Sequence, residues 1–174
     1  MVIWITGLPG SGKTTIAQQL QHQLQKKSIT PVLLDGDKLR EVLANQSYDS
    51  SSRKKLALTY AKLANLLSSQ GHIVIVATVS LFHCIHEWNK KNNANYLEVF
   101  IKPCPQTLQE RDQKGLYSSS CNSLGDRVGI QVSPEYPLSP NLTINNNKEQ
   151  DLHENVKLLL DVIINRTNDA SLKD

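Results

Sequence analysis

The chain has 174 residues, enough for one domain with a buried core. Hydrophobic residues make up 39% and charged residues 20%, and the net charge of +3 is too small for the dense basic patch of a nucleic-acid binder while suiting a small anionic substrate. No apolar run is long enough to cross a membrane, and Met1-Val2 leads straight into apolar residues without a secretory pattern, so a cytoplasmic protein with neither membrane nor nucleic acid as partner is expected.

Val2-Ile3-Trp4-Ile5 predicts a strand. It runs into Gly7-Leu8-Pro9-Gly10-Ser11-Gly12-Lys13-Thr14, and a helical pattern opens at Thr15-Ile16-Ala17. This is G-x-x-x-x-G-K-[ST] without a mismatch, in the strand, loop, helix order that makes a phosphate cradle. Gly7, Gly10 and Gly12 allow successive N–H groups to point at a phosphate chain, with a helix N-terminus behind them. Lys13 supplies a mobile positive charge for the outer phosphates, and the Thr14 hydroxyl is placed to ligate Mg²⁺. ATP and Mg²⁺ are therefore expected, with Ser11 and Thr15 completing the nucleotide-binding loop.

Ile16, Leu20 and Leu24 continue the first helix to about Lys26-Lys27. Pro31-Val32-Leu33-Leu34-Asp35 reads as a buried parallel strand, expected beside the loop-bearing one. It ends in Asp35-Gly36-Asp37, at the carboxyl edge where open α/β sheets bind ligands. Asp35 is a candidate for Mg²⁺, directly or through water, and Asp37 for the base that takes a proton from a substrate hydroxyl. A short helix follows through Leu43, a polar turn from Asn45 to Ser52, and a helix from Arg53 to Gln70 that Gly71 stops. Ile73 to Thr78 is apolar on both faces and predicts a central strand, with Ser80 just beyond. His83 to Lys91 predicts a helix, with His83 and His86 read as surface or rim residues and Trp4 and Trp88 as packing residues.

Tyr96 to Ile101 predicts a fourth strand, and Pro103 and Pro105 open a helix running to about Asp112. Residues 113–136 are long, polar and scattered in pattern. Such a segment is disordered or a lid, and beside a phosphate site the lid is favoured. Arg111, Lys114 and Arg127 would let it bring positive charge over the phosphates. Leu142-Thr143-Ile144 is a last strand, Asn147 is expected to cap a final helix, and residues 167–174 are expected to fray. Cys84, Cys104 and Cys121 have no paired or ligand-like spacing and read as free thiols. The whole is expected to be one α/β domain, 1–174. Its fold would be a three-layer P-loop fold with a mostly parallel five-stranded sheet, helices on both faces and a lid.

Among P-loop classes a small-molecule kinase explains most. A GTP-binding switch needs Asn-Lys-x-Asp, and Asn147-Lys148-Glu149-Gln150-Asp151 is one residue too long. An ATPase motor needs a carboxylate after the central strand, where Ala77-Thr78-Val79-Ser80 has none. Several blocks then resemble adenylylsulfate kinase. They are Trp4 to Thr15, Leu34-Asp35-Gly36-Asp37 with Arg40, Arg111 to Tyr117, Val128-Gly129-Ile130, and Pro134-Glu135-Tyr136 with Pro140. The resemblance runs from Met1 to about Ile144. It implies transfer of the γ-phosphoryl of MgATP to the 3′-hydroxyl of a nucleotide, by an enzyme that is usually a homodimer. It makes Asp37 the base and substrate anchor, and gives Arg40, Tyr48, Arg53, Ser80 and Lys114 substrate roles. Arg111 falls near ATP, and Lys13 and Arg40 join Asp37 in catalysis.

The departures fall on the acceptor side. Lys38 replaces an Asn of the family, Leu58 and Thr59 stand where two arginines are usual, and Leu81-Phe82 replaces a Pro-aromatic pair with His83 in place of an arginine. An intact ATP half beside a rebuilt acceptor half is the pattern of a changed substrate. The stretch Val79 to Asn89 resembles the branch acting on cytidine diphosphoramidate in capsule modification, and that acceptor is favoured. Adenylylsulfate remains the alternative, and a regulatory nucleotide-binding protein is the alternative of another class.

Overall fold

Alternation along the first strand decides the layers. In β1 (Val2–Gly7) every residue is buried. Ile3 and Ile5 point into one apolar cluster and Val2 and Trp4 into another, so helices must cover both faces. The computed structural model, which describes residues 1–45, 47, 49–111, 133–148 and 150–171, places β1 in the middle of a sheet. The other strands are β2 (Val32–Asp35), β3 (Val74–Thr78), β4 (Tyr96–Ile101) and β5 (Leu142–Ile144), in the order β2-β3-β1-β4-β5. All pairings are parallel. β3 is interior, as its doubly apolar pattern requires. β2, however, pairs with β3 and not with β1, so the acidic strand is not the immediate neighbour of the loop-bearing strand.

Helices α1 (Lys13–Gln25) and α6 (Asp151–Ser171) cover one face. Ile16, Leu20 and Leu24 meet Val156, Leu159 and Ile163 against the Ile3/Ile5 side of the sheet. On the other face, α3 (Ser50–Ser69) contributes Leu56, Ala57, Tyr60, Ala61 and Ala64, and α4 (His83–Asn92) contributes Ile85, around Trp4. Each large side chain removed from water in these layers contributes about 1.5–3 kcal/mol. The short helices α2 (Gly36–Val42) and α5 (Pro105–Glu110) start at the carboxyl ends of β2 and, after a brief loop, β4.

Several boundaries differ from the sequence expectation, each for a local reason. α3 begins inside the expected polar turn, because Asp49 caps it: its carboxylate accepts the Ser52 N–H at 2.9 Å. Asn147 does not cap the last helix. Its Oδ1 instead accepts the Cys104 N–H at 2.6 Å, and α6 starts at Asp151, whose carboxylate accepts the Lys148 N–H at 3.0 Å. The α6 backbone remains helical through Ser171, beyond Arg166, which anchors it by donating to the Tyr96 carbonyl at 2.8 Å.

His86 is not a rim residue. It is 3% exposed and faces Glu98 of β4, which is fully buried. His86 Nδ1 and Lys90 Nζ lie 2.7 and 3.2 Å from the Glu98 carboxylate, and the Tyr96 hydroxyl donates to it at 3.0 Å. Burial opposes the charge on Glu98, but the hydrogen bonds and charges of His86 and Lys90 prevail and hold its carboxyl below the ordinary range. This network ties α4 to β4 and lies away from the sheet edge that carries the loop.

Candidate active site

All strands being parallel, Gly7, Asp35, Thr78, Ile101 and Ile144 end on one edge. The loop from β1 to α1 is held there by close approach. A side chain at Gly7 would meet the Ile101 carbonyl oxygen at 2.5 Å and Ser11 Oγ at 2.9 Å, so only glycine fits. Gly12 has φ 91°, and a Cβ on it would collide with the Asn146 amide. Ser11 is buried, Thr15 is exposed on the first turn of α1, and Lys13 folds over the loop, donating to the Leu8 carbonyl at 2.8 Å and to Ser11 Oγ at 3.4 Å.

Across from the loop stands the acidic turn. Although β3 intervenes between β1 and β2, the N-terminus of α1 leans over it. The Thr14 hydroxyl donates to Asp35 Oδ2 at 2.7 Å. The other carboxylate oxygen caps α2, accepting the N–H groups of Asp37 and Lys38 at 3.0 and 3.3 Å. One buried side chain thus fixes the Thr14 hydroxyl and the helix that carries Asp37. A hydroxyl and a carboxylate oxygen at this spacing form the oxygen donor set that suits Mg²⁺, and the glycine cradle suits a polyphosphate. Thr14 and Asp35 would hold the ion, which would neutralise charge on the phosphates.

The remaining expected residues divide. Arg111 ends α5 beside the loop, and its guanidinium donates to the Asn146 carbonyl at 2.8 Å and the Asn147 carbonyl at 3.3 Å. Ser80 is buried, its hydroxyl 2.8 Å from Thr78 Oγ1 at the end of β3. Arg40 follows Asp37 by one turn of α2, and its guanidinium donates to the Ser47 carbonyl at 2.8 Å and to the Asn45 carbonyl and Oδ1 at 3.3 Å each. It therefore ties Asn45 and Ser47 to α2. Arg53 lies 5.9 Å from the centre of the Phe82 ring and Lys54 5.6 Å from it, at the start of α3. Tyr48 and Lys114 lie outside the described residues, as does all of the expected lid except residues 133–136.

Two of those four residues, Glu135 and Tyr136, are tied down. The Glu135 N–H donates to the Leu81 carbonyl at 3.2 Å, its carboxylate accepts the His83 N–H at 2.6 Å, and the His83 ring nitrogen lies 2.9 Å from the Tyr136 carbonyl. His83, expected only at the rim, therefore joins α4 to this segment. The sequence reading also missed Asn146. It is buried, and its amide donates to the Ser11 carbonyl at 2.9 Å, 135 residues away. Three consecutive asparagines after the last strand were the only local signal.

Residues 1–145 match the family model described as adenylylsulphate kinase, and the match takes in the glycine loop, the Asp35–Asp37 turn and β5. The chain belongs to the adenylylsulphate kinase family. It is accordingly a kinase, a nucleotide-binding phosphotransferase of a family that uses ATP. It is 43% identical over 160 residues to the cytidine diphosphoramidate kinase of Campylobacter jejuni serotype O:2, covering 91% of this chain and 94% of that protein. It is 37% identical over 147 residues to the adenylyl-sulfate kinase of Pseudomonas aeruginosa PAO1, covering 82% of this chain and 75% of that one. Among solved structures, the Mycobacterium tuberculosis APS kinase CysC in complex with AMPPNP and APS superposes with a TM-score of 0.84 at 28% identity, over 93% of this chain and 96% of that one. Within the adenylylsulphate kinase fold, no helix of the described residues is long and apolar enough to cross a membrane.

Proposed function

We propose that the chain transfers the γ-phosphoryl of MgATP to the 3′-hydroxyl of a nucleotide, and that its acceptor is cytidine diphosphoramidate or a near analogue. The kinase half of this reading is carried by one piece of geometry, the Thr14–Asp35 pair with Asp37 in the next turn. Asp37 takes the proton from the acceptor hydroxyl, whose oxygen bonds to the γ-phosphorus as the bond to the β–γ bridging oxygen breaks and ADP leaves. Lys13 and the loop N–H groups stabilise the charge on the phosphate oxygens, and Arg111 supports the nucleotide side. Arg40, Arg53 and Ser80 lie on or beside elements that frame the acceptor. Tyr48 and Lys114 keep their proposed acceptor contacts on the strength of the resemblance.

The acceptor choice is supported by the higher identity to the cytidine diphosphoramidate kinase, over nearly its full length, and by the rebuilt residues at 58, 59 and 81–83. The resemblance also supports a single P-loop kinase domain, with a lid about 113–136, that works as a homodimer, which sedimentation velocity would read directly. The deciding experiment is a coupled ADP-release assay with MgATP, adenylylsulfate and a panel of cytidine nucleotides, each beside its 3′-deoxy analogue. Turnover of the cytidine derivative that vanishes with its 3′-deoxy form is expected. Preference for adenylylsulfate would overturn the acceptor assignment, and no turnover with any acceptor would overturn the kinase mechanism.

A further inference from the structure

Tyr60 sits in the middle of α3 among apolar residues, where its spacing marks it as core. It is 3% exposed. Its hydroxyl has a specific partner: it donates to the carbonyl oxygen of Gly36 at 3.0 Å. Gly36 is the residue between Asp35 and Asp37, and the first of α2. On its other side Gly36 is packed against β3, where a Cβ would meet Thr78 Oγ1 at 3.0 Å and the Ala77 carbonyl oxygen at 3.2 Å. The acidic turn is thus gripped between a strand end and one phenol. Burial, reinforced by the charges of Asp37 and Asp35 against that of Arg40, pushes the Tyr60 hydroxyl up to about 12. It therefore keeps its proton at any working pH and remains a donor.

We propose that Tyr60 is a positioning residue for phosphoryl transfer, its hydroxyl fixing Gly36 so that Asp35 stays on Thr14 while Asp37 meets the acceptor hydroxyl. This rests on the kinase reading above. Asp35 holds Thr14 and the start of α2, Asp37 serves the acceptor in the kinase reading, and the residue joining them is the point at which one hydrogen bond controls both. Small displacements there matter, because a reacting group moved by about 1 Å can cost about a hundredfold in rate.

The test is Tyr60→Phe, which keeps the ring and its packing and removes only the hydroxyl. Its kcat should fall about ten- to a hundredfold, while the KM for acceptor stays within about threefold and the calorimetric affinity for metal-free ATP, held by the glycine loop, is unchanged. A kcat within about twofold of the native enzyme would overturn the proposal. So would a loss of metal-free ATP affinity and thermal stability in step with kcat, which would make the hydroxyl a general support of the fold and not a positioning group. Amide hydrogen exchange at Asp37 and Lys38 gives a reading independent of turnover. Faster exchange there in Tyr60→Phe, with α3 unchanged, is expected, and unchanged exchange would refute the grip. Native protein that turned over no acceptor would sink the kinase mechanism, and the exchange result would still decide the role of Tyr60.

Discussion

Asp35 offers the sharpest perturbation, because its two oxygens do different work. Oδ1 caps α2 through the N–H groups of Asp37 and Lys38, and Oδ2 accepts from Thr14. Asparagine caps a helix about as well as aspartate, so Asp35→Asn keeps the cap. It loses only the favourable charge at the helix N-terminus, about 0.3–1 kcal/mol. Asp35→Ala loses the cap as well, a further cost of about 1 kcal/mol. Thr14 is exposed and can turn to water, so it adds little to either loss. For a chain of this size the melting temperatures should fall by about 1–4 °C for Asn and about 3–8 °C for Ala. Activity should not follow that ranking. Both variants remove the anionic oxygen that would hold Mg²⁺, and Asn turns an amide donor toward it. Both should lose about 10²–10³ in kcat/KM, or about 2.7–4 kcal/mol of transition-state stabilisation. Thermal shift with and without MgATP, beside ADP release across a Mg²⁺ titration, reads both effects. Native activity in Asp35→Asn would refute the metal-side role, and equal destabilisation by Asn and Ala would refute the cap.

Three further outcomes are expected. Asp37→Asn should lower kcat about 10²–10⁴-fold with MgATP affinity intact, and an unchanged kcat would remove it as the base. Asn146→Ala should free the Ser11 carbonyl, cost about 1–2 kcal/mol and raise the KM for ATP; a thermal shift with no change in that KM would limit Asn146 to a structural part. Glu98→Gln should cost about 2–4 kcal/mol at neutral pH, toward the low side for a broken buried pair because Lys90 reaches solvent. The Glu98 carboxyl is held below its ordinary value of 4.5 in the fold. Its ionised form therefore stabilises the protein above that value, and the contribution is lost as pH falls through the folded-state pKa. Urea melts should show the gap between native and Glu98→Gln closing toward acid; a gap constant with pH would contradict the assignment.

Much of this was written in local pattern. A glycine loop between an apolar strand and a helix is a short-range arrangement, so Gly7 to Thr14 could be read in order, as could the acid at the end of β2 and the five strands. The Asp35–Asp37 turn was legible because a buried strand that ends in carboxylates exposes them at one edge. Two kinds of feature were misread. Caps are settled locally: Asp49 caps α3 inside the expected polar turn while Asn147 turns its oxygen to Cys104, and a hydrogen bond of about 1 kcal/mol settles such a choice. Buried polar residues give no periodic signal, so His86 looked like a surface histidine until Glu98 was found opposite it.

The sequence by itself determined the strand and helix segments, the phosphate loop and the pair of acids, since each depends on residues near one another in the chain. Only the tertiary structure decided the strand order that puts β3 between those acids and the loop, and the lean of α1 that nevertheless joins Thr14 to Asp35. It alone brought Asn146 under Ser11, Tyr60 onto Gly36 and Glu135 onto the start of α4. These contacts join residues 21 to 135 positions apart, and their energies become available only once the hydrophobic layers have closed around them.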